Sequence, residues 1–437
     1  MAKRPNSPTS SSKAQAGVTS TAASVEEMLL AAQTRGTDSM ETGRFIVTFK
    51  DGAVEEGIKA LRAQSMRTAD ARDFSDQAVL MDTLGDADAL VFPEVGAALI
   101  GASAAQSRSM SVASEFSSDD AMQIIEPEYF VFPEGAQDYL RGFLRATETI
   151  ARDLGDADAA VPDAEEEVRA LGHTWGLNAC RVPASVRNGL GIKVAVLDTG
   201  FAIGHPDFAG RVITSNSFVG QPVQDLHGHG THCIGTALGP QAPTGGTPRY
   251  GIAFRGSIFV GKVLSNAGGS VGGSVLAGMN WAIASGCQVI SLSLGGAGPV
   301  QAAYTAAGQA ALRRGLLIVA AAGNGNGAPT GFPANSPTIM AVASLDNNLR
   351  PSSFSNKGKI EIAAPGRDVF SAAPMPRRYA TMSGTSMATP HVAGCAALWA
   401  QTSPSLRGTA LWSRLRASAR VLPFPAGQVG AGLVQAP

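Results

Sequence analysis

Four short segments carry side chains that could do chemistry together. Val194-Ala195-Val196-Leu197 runs into Asp198-Thr199-Gly200. Asp225-Leu226-His227-Gly228-His229-Gly230-Thr231-His232-Cys233 holds three of the chain's six histidines. Val319-Ala320-Ala321-Ala322 leads into Gly323-Asn324, and Thr381 to His391 places Ser386 between Gly384-Thr385 and Met387-Ala388. A hydroxyl nucleophile, an imidazole base, a carboxylate to orient it and amide donors for a developing oxyanion are the parts acyl transfer needs.

Each segment also has an ordinary reading. A serine before a helix is commonly an N-cap, and an Asn after a strand is commonly a turn residue. Asp-Thr-Gly also marks proteases that use two carboxylates sharing one proton, but it occurs once here. The three histidines lack the His-Glu-x-x-His spacing of a metal site. His227 and His232 read as structural, while the glycine-flanked His229 opens an apolar helical stretch and is the candidate base. Ser386 lies just before or at the start of a helix running through Val392 and Leu398. Its hydroxyl and its own N–H would both point outward there. Pro390 is expected in the first turn of that helix, where no N–H is needed.

The elements that would position these residues follow from periodicity. Lys193–Leu197, Ile258–Leu264, Val289–Leu294, Leu316–Ala321, Ile339–Val342 and Ile360–Ala363 read as strands. Several are continuous apolar runs, as in strands covered on both faces. Val275–Ala284, Val300–Arg313 and Met387–Ala400 read as intervening helices. The alternation predicts a doubly wound, mostly parallel α/β domain over residues 173–437. Sites in such sheets lie beyond the carboxyl ends of the strands. Residues 43–133 mix strands (Arg44–Phe49, Gln77–Met81, Ala89–Phe92, Met122–Ile125) with a helix at Glu55–Gln64, a small α+β domain. Residues 134–172 read as a linker with an amphipathic helix at Gln137–Leu154 and an acidic stretch at Asp153–Glu167. Residues 1–42 are expected to be disordered, with a short helix at Val25–Gln33.

Composition narrows the class. The net charge is −1 with no basic block, so no nucleic-acid partner is expected. No apolar run approaches the 18 residues of a membrane span. No apolar core follows Lys3, Arg4 and Lys13, so no secretory signal is expected, and the compartment stays open. Cys180, Cys233, Cys287 and Cys395 have no metal-type spacing and read as buried hydrophobes.

The segments above make the chain resemble the subtilisin family of serine peptidases. The resemblance runs from Thr174-Trp175-Gly176-Leu177 to Gly432-Leu433-Val434, and the Asp…His…Ser order matches it. It implies a serine endopeptidase with Asp198, His229 and Ser386 as the triad, forming an acyl-enzyme. It also implies that Asn324 and the Ser386 N–H hold the oxyanion, with Thr385 adding a weaker donor. Gly268, Gly269 and Ser270 on one side, and Ser293, Leu294 and Gly295 on the other, resemble the edges that pair with a polypeptide substrate. Gly331 matches the floor of the primary specificity pocket and implies large apolar P1 residues; a plain turn glycine is the alternative. Arg44–Gly52 and Ile124-Ile125-Glu126-Pro127-Glu128 resemble an inhibitory pro-domain, an intramolecular partner removed by a cut between Glu134 and Gly172. No cofactor is required. The family often binds structural calcium; Asp207 matches one ligand, but Leu238–Tyr250 offers no Asn or Asp, so no metal site is assigned. Cys233 resembles the thiol-bearing branch. The rival functions are a transpeptidase or macrocyclase on the same fold, and a catalytically inactive binding homologue.

Overall fold

Runs of β-branched and small apolar residues, bounded by turns, give strands that stay buried on both faces. Such runs form the centre of this protein. The computed structural model describes Met28 and residues 40–74, 86–107, 121–133 and 172–437. The expected elements at Gln77–Met81, Gln137–Leu154 and Asp153–Glu167 lie outside those residues. Residues 1–39 do too, apart from a helical Met28.

The first unit contributes β1 (Glu41–Phe49), β2 (Thr68–Asp70), β3 (Ala89–Phe92), β4 (Ala97–Ile100) and β5 (Met122–Pro133), with helices Val54–Ala63 and Ala102–Ser107. Strand alternation divides its side chains between two faces. Val47, Phe49, Val91 and Ile100 pack with Leu61 and Met66 in a core of their own. Ile46, Leu90, Phe92 and Leu99 point the other way and join the core of the larger unit. Each such side chain is worth about 1.5–3 kcal/mol of burial. The exposed pair Arg313–Asp51 contributes at most about 1 kcal/mol. Apolar contact therefore outweighs this ion pair in attaching one unit to the other.

The second unit contributes β6 (Lys193–Asp198), β7 (Ile213–Ser217), β8 (Ser257–Lys262), β9 (Ser270–Val271), β10 (Val289–Leu292), β11 (Leu294–Gly295), β12 (Leu317–Ala321), β13 (Met340–Leu345) and β14 (Ile362–Pro365), then the hairpin β15 (Val369–Ala372) and β16 (Tyr379–Met382). Seven of these form one sheet in the order β14-β13-β12-β10-β6-β8-β7. Every neighbouring pair in it is parallel. This is the α/β sheet that the strand–helix alternation predicts. The order reverses between β6 and β10, so a crevice opens where their carboxyl ends diverge. Asp198 ends β6, and Ser293 follows β10. Helix His229–Leu238 packs against helix Thr385–Thr402, and helix Gly272–Ala284 against helix Ala302–Arg313.

Two-residue strands do not form alone. β9 and β11 exist because β5 lies between them. Phe130 and Val131 pair antiparallel with Val271 and Ser270, and Phe132 and Pro133 with Gly295 and Leu294. β5 is therefore far longer than the expected strand ending at Ile125. Pro127 sits before β5 gains its second neighbour, a setting in which a strand tolerates proline.

Candidate active site

The turn after β6 and the start of the next helix are built as one piece. Asp225 is fully buried and accepts from the N–H groups of His227 at 3.0 Å, Gly228 at 2.8 Å and Thr231 at 2.9 Å. It also accepts from the hydroxyls of Thr199 at 3.0 Å and Thr231 at 2.6 Å. A carboxylate here satisfies N–H groups that a helix start leaves open, and its charge suits the positive end of the helix dipole. The Gly230 N–H donates to the Thr199 hydroxyl at 2.8 Å. A Cβ on Gly230 would lie 2.4 Å from the Gly200 carbonyl oxygen. Only glycine lets the helix approach the Asp198–Gly200 turn this closely.

That approach joins the two charged groups. His229 Nδ1 lies 2.7 Å from Asp198 Oδ1, which also accepts from the Thr199 N–H at 2.7 Å. Burial on its own lowers the His229 basicity, but the Asp198 charge and hydrogen bond, with Cys233 beside them, hold the imidazole well above its usual value. His229 Nε2 has no hydrogen-bond partner among the described residues. The other two histidines go elsewhere. His232 Nε2 reaches the carbonyls of Val369 at 2.9 Å and Ala380 at 3.2 Å, and burial pushes it down to about 3, so it is neutral. His227 does not bond to Asp198; it lies beside Gly268.

Ser386 is the second residue of helix Thr385–Thr402. Its hydroxyl donates to the Ser293 carbonyl at 3.0 Å. Its carbonyl accepts from the Ser293 hydroxyl at 2.8 Å and from the Cys233 thiol at 3.6 Å. Pro390 explains why that carbonyl accepts from side chains instead of from its own helix. It is the sixth helical residue, not a first-turn residue as expected, and it withholds the N–H that Ser386 would otherwise receive. Cys233 also lies 4.0 Å from His229 Nδ1, so it touches both. Burial pushes its thiol up, so it stays neutral.

Asn324 follows β12 and the positive-φ Gly323. Its Oδ1 accepts from the Thr385 N–H at 2.9 Å and the Thr385 hydroxyl at 3.0 Å. Thr385 is fully buried, and its hydroxyl donates to Asn324, so in this arrangement it holds the amide in place.

The expected substrate edges fall on the two short strands. Ser270, Leu294 and Gly295 are in the ladder with β5. Gly268 and Gly269 form the turn before it, and Ser293 serves Ser386 instead. Gly331 lies against β-bridged Gly296, whose carbonyl oxygen would be 2.5 Å from a Cβ at 331. Asp225 and Lys262 belong to this site and escaped the sequence reading. A lysine ending an apolar strand run is a signal that could have found the second.

Asp207 does not fit calcium. Its Oδ1 accepts from Thr244 N–H at 3.0 Å, Thr244 hydroxyl at 2.6 Å, Tyr379 hydroxyl at 3.1 Å and Arg378 at 3.3 Å. Its Oδ2 accepts from the hydroxyls of Tyr250 at 2.6 Å and Tyr379 at 3.0 Å. Burial alone would raise its pKa, but these hydrogen bonds outweigh it and hold the carboxyl below its usual range. The guanidinium supplies the positive charge that a cation would. Asp207→Asn is therefore expected to lower the melting temperature by the same amount with calcium or with a chelator present; a loss seen only with calcium in a calorimetric scan would contradict this fit.

Comparison with known proteins agrees with this geometry. The model of the subtilase family matches residues 189–432. The chain is 39% identical over 280 residues to an alkaline protease of Alkalihalobacillus alcalophilus, covering 63% of this chain and 71% of that protein. It is 40% identical over 268 residues to subtilisin Savinase of Lederbergia lenta, 60% of this chain and 96% of that one. It is 42% identical over 224 residues to thermitase of Thermoactinomyces vulgaris, 50% of this chain and 78% of that one.

Proposed function

From the premise that this chain belongs to the subtilase family and is a serine-type endopeptidase, we propose that Asp198, His229 and Ser386 form its catalytic triad. The observation that carries this reading is the buried 2.7 Å Asp198–His229 pair, whose other ring nitrogen is unpartnered beside a thiol that also touches Ser386. On this reading the Ser386 hydroxyl leaves the Ser293 carbonyl for His229 Nε2 when substrate binds. Catalytic hydrogen bonds commonly form only with substrate bound. His229 then takes the proton as Oγ attacks the scissile carbonyl, and Asp198 stabilises the imidazolium. The Asn324 amide and the Ser386 N–H hold the oxyanion. The imidazolium returns the proton to the leaving amine, and water hydrolyses the acyl-enzyme.

We also propose that residues 43–133 are an inhibitory pro-domain. The support is that β5 fills the cleft as a substrate strand would, pairing with both edges. Two carboxylates hold it there. Glu126 accepts from the N–H groups of Ala302 and Ala303 at 2.9 Å each, at the start of one helix. Glu128 accepts from Gly273 N–H at 2.7 Å at the start of another and pairs with buried Arg44 at 2.6 Å. In the β5 ladder Pro133 faces Leu294, one residue from Ser293. The bond cut on maturation therefore lies within the first few beyond Pro133. Gly331 leaves the primary pocket open for large apolar P1 residues.

The test is mass spectrometry of the purified protein after incubation, with and without a fluorophosphonate. Self-cleavage shortly beyond Pro133, blocked by a label on Ser386, is expected. Absence of any label on Ser386 would sink the triad. A labelled enzyme that never trims itself would remove only the pro-domain reading. A peptide series varied at P1 should be cut fastest with Phe or Leu.

A further inference from the structure

A buried lysine is rare because its ammonium loses hydration, so its setting needs a reason. Lys262 is fully buried at the end of β8. It pairs in register with Asp198 on β6. Its ammonium donates to the Thr199 carbonyl and, at 2.9 Å, to Asn266 Oδ1. Asn266 Oδ1 also accepts from the Leu226 N–H at 3.1 Å. One side chain therefore ties together the Asp198 turn, the turn before His229 and the start of the 265–270 edge.

The charges around it can be counted. Asp198 and Asp225 are buried carboxylates. Burial and the His229 charge push His227 down, His232 is neutral, and the Cys233 thiol is pushed up. The buried charges that remain are two negative, one positive and the titrating His229. We propose that Lys262 is a positioning residue for catalysis: its fixed charge offsets the Asp198–Asp225 pair and so limits how tightly those carboxylates hold the proton that His229 must give up before it can take one from Ser386. The inference rests on the triad reading above. With the ammonium present, the imidazolium formed in the transition state brings the cluster to neutrality. Without it, two uncompensated carboxylates would hold the His229 proton more tightly still. Burial lowers the ammonium itself to about 8, so it is charged at neutral pH.

The test is the pH profile of kcat/KM on a chromogenic peptide, with circular dichroism to check folding. A lost ammonium favours the imidazolium, so the acid limb should move to higher pH. Lys262→Met should move it by about one unit, and Asn266→Asp, which keeps both acceptor bonds and adds a negative charge, by a few tenths. Lys262→Arg should leave it near the wild-type position. A folded Lys262→Met enzyme with an unmoved limb overturns the proposal and leaves an ordinary structural lysine. If Lys262→Met does not fold, Asn266→Asp decides, and an unmoved limb there overturns it equally. Fluorophosphonate labelling of wild-type Ser386 separates this failure from failure of the triad.

Discussion

Ser386→Ala is expected to lower kcat about a millionfold, the scale known for the same replacement in subtilisin. The reason lies in what remains. Asp198 and His229 would still be paired at 2.7 Å, but no nucleophile would be left for the imidazole to activate. The lost hydrogen bond to the Ser293 carbonyl is worth only about 1 kcal/mol, so the fold should survive. The variant should also remain full length, at 44.6 kDa, while the wild type trims itself. Casein digestion and gel mobility read both effects. Wild type and variant trimmed alike would mean that another protease does the processing. Casein digestion within a hundredfold of wild type would mean that another residue is the nucleophile.

Asn324→Ala is expected to cost about 10²–10³ in kcat with KM nearly unchanged. The amide is aimed before substrate arrives, because Thr385 holds its oxygen through both an N–H and a hydroxyl. A donor fixed in advance reorganises little when charge develops, which makes it worth more in the transition state than in the ground state. Thr385→Val removes one of the two holds and should give a smaller loss of the same kind. The Ala variant also strands a buried Thr385 N–H, which costs about 1–3 kcal/mol, so its melting temperature should fall as well. Steady-state kinetics decide: a loss confined to KM would make Asn324 a ground-state contact and reject its oxyanion role.

The residues legible in the sequence were those that end a buried strand or begin a helix. Asp198 and Asn324 follow apolar runs that only a doubly covered sheet explains. His229 and Ser386 open the helices that follow. What stayed hidden depends on pairing across the chain. β9 and β11 are two residues long and have no pattern of their own. β5 reads as ending at Ile125, because the partners that extend it, β9 and β11 and the two helix starts that Glu126 and Glu128 reach, are remote in sequence. That the Thr385 hydroxyl turns onto the Asn324 amide cannot be read from its place beside Ser386. Asp207 looked like a metal ligand because the partners that occupy it, Arg378 and Tyr379, come from the far end of the chain.

Removal of the strand lodged between β9 and β11, as proposed for maturation, would have a consequence for the enzyme. Both cleft margins then carry backbone donors and acceptors with nothing to bind, and such margins accept any extended chain. In a concentrated preparation the most abundant extended chain is the enzyme's own unfolded fraction. Shelf life should then follow how often one molecule opens globally, because each opening feeds a neighbour.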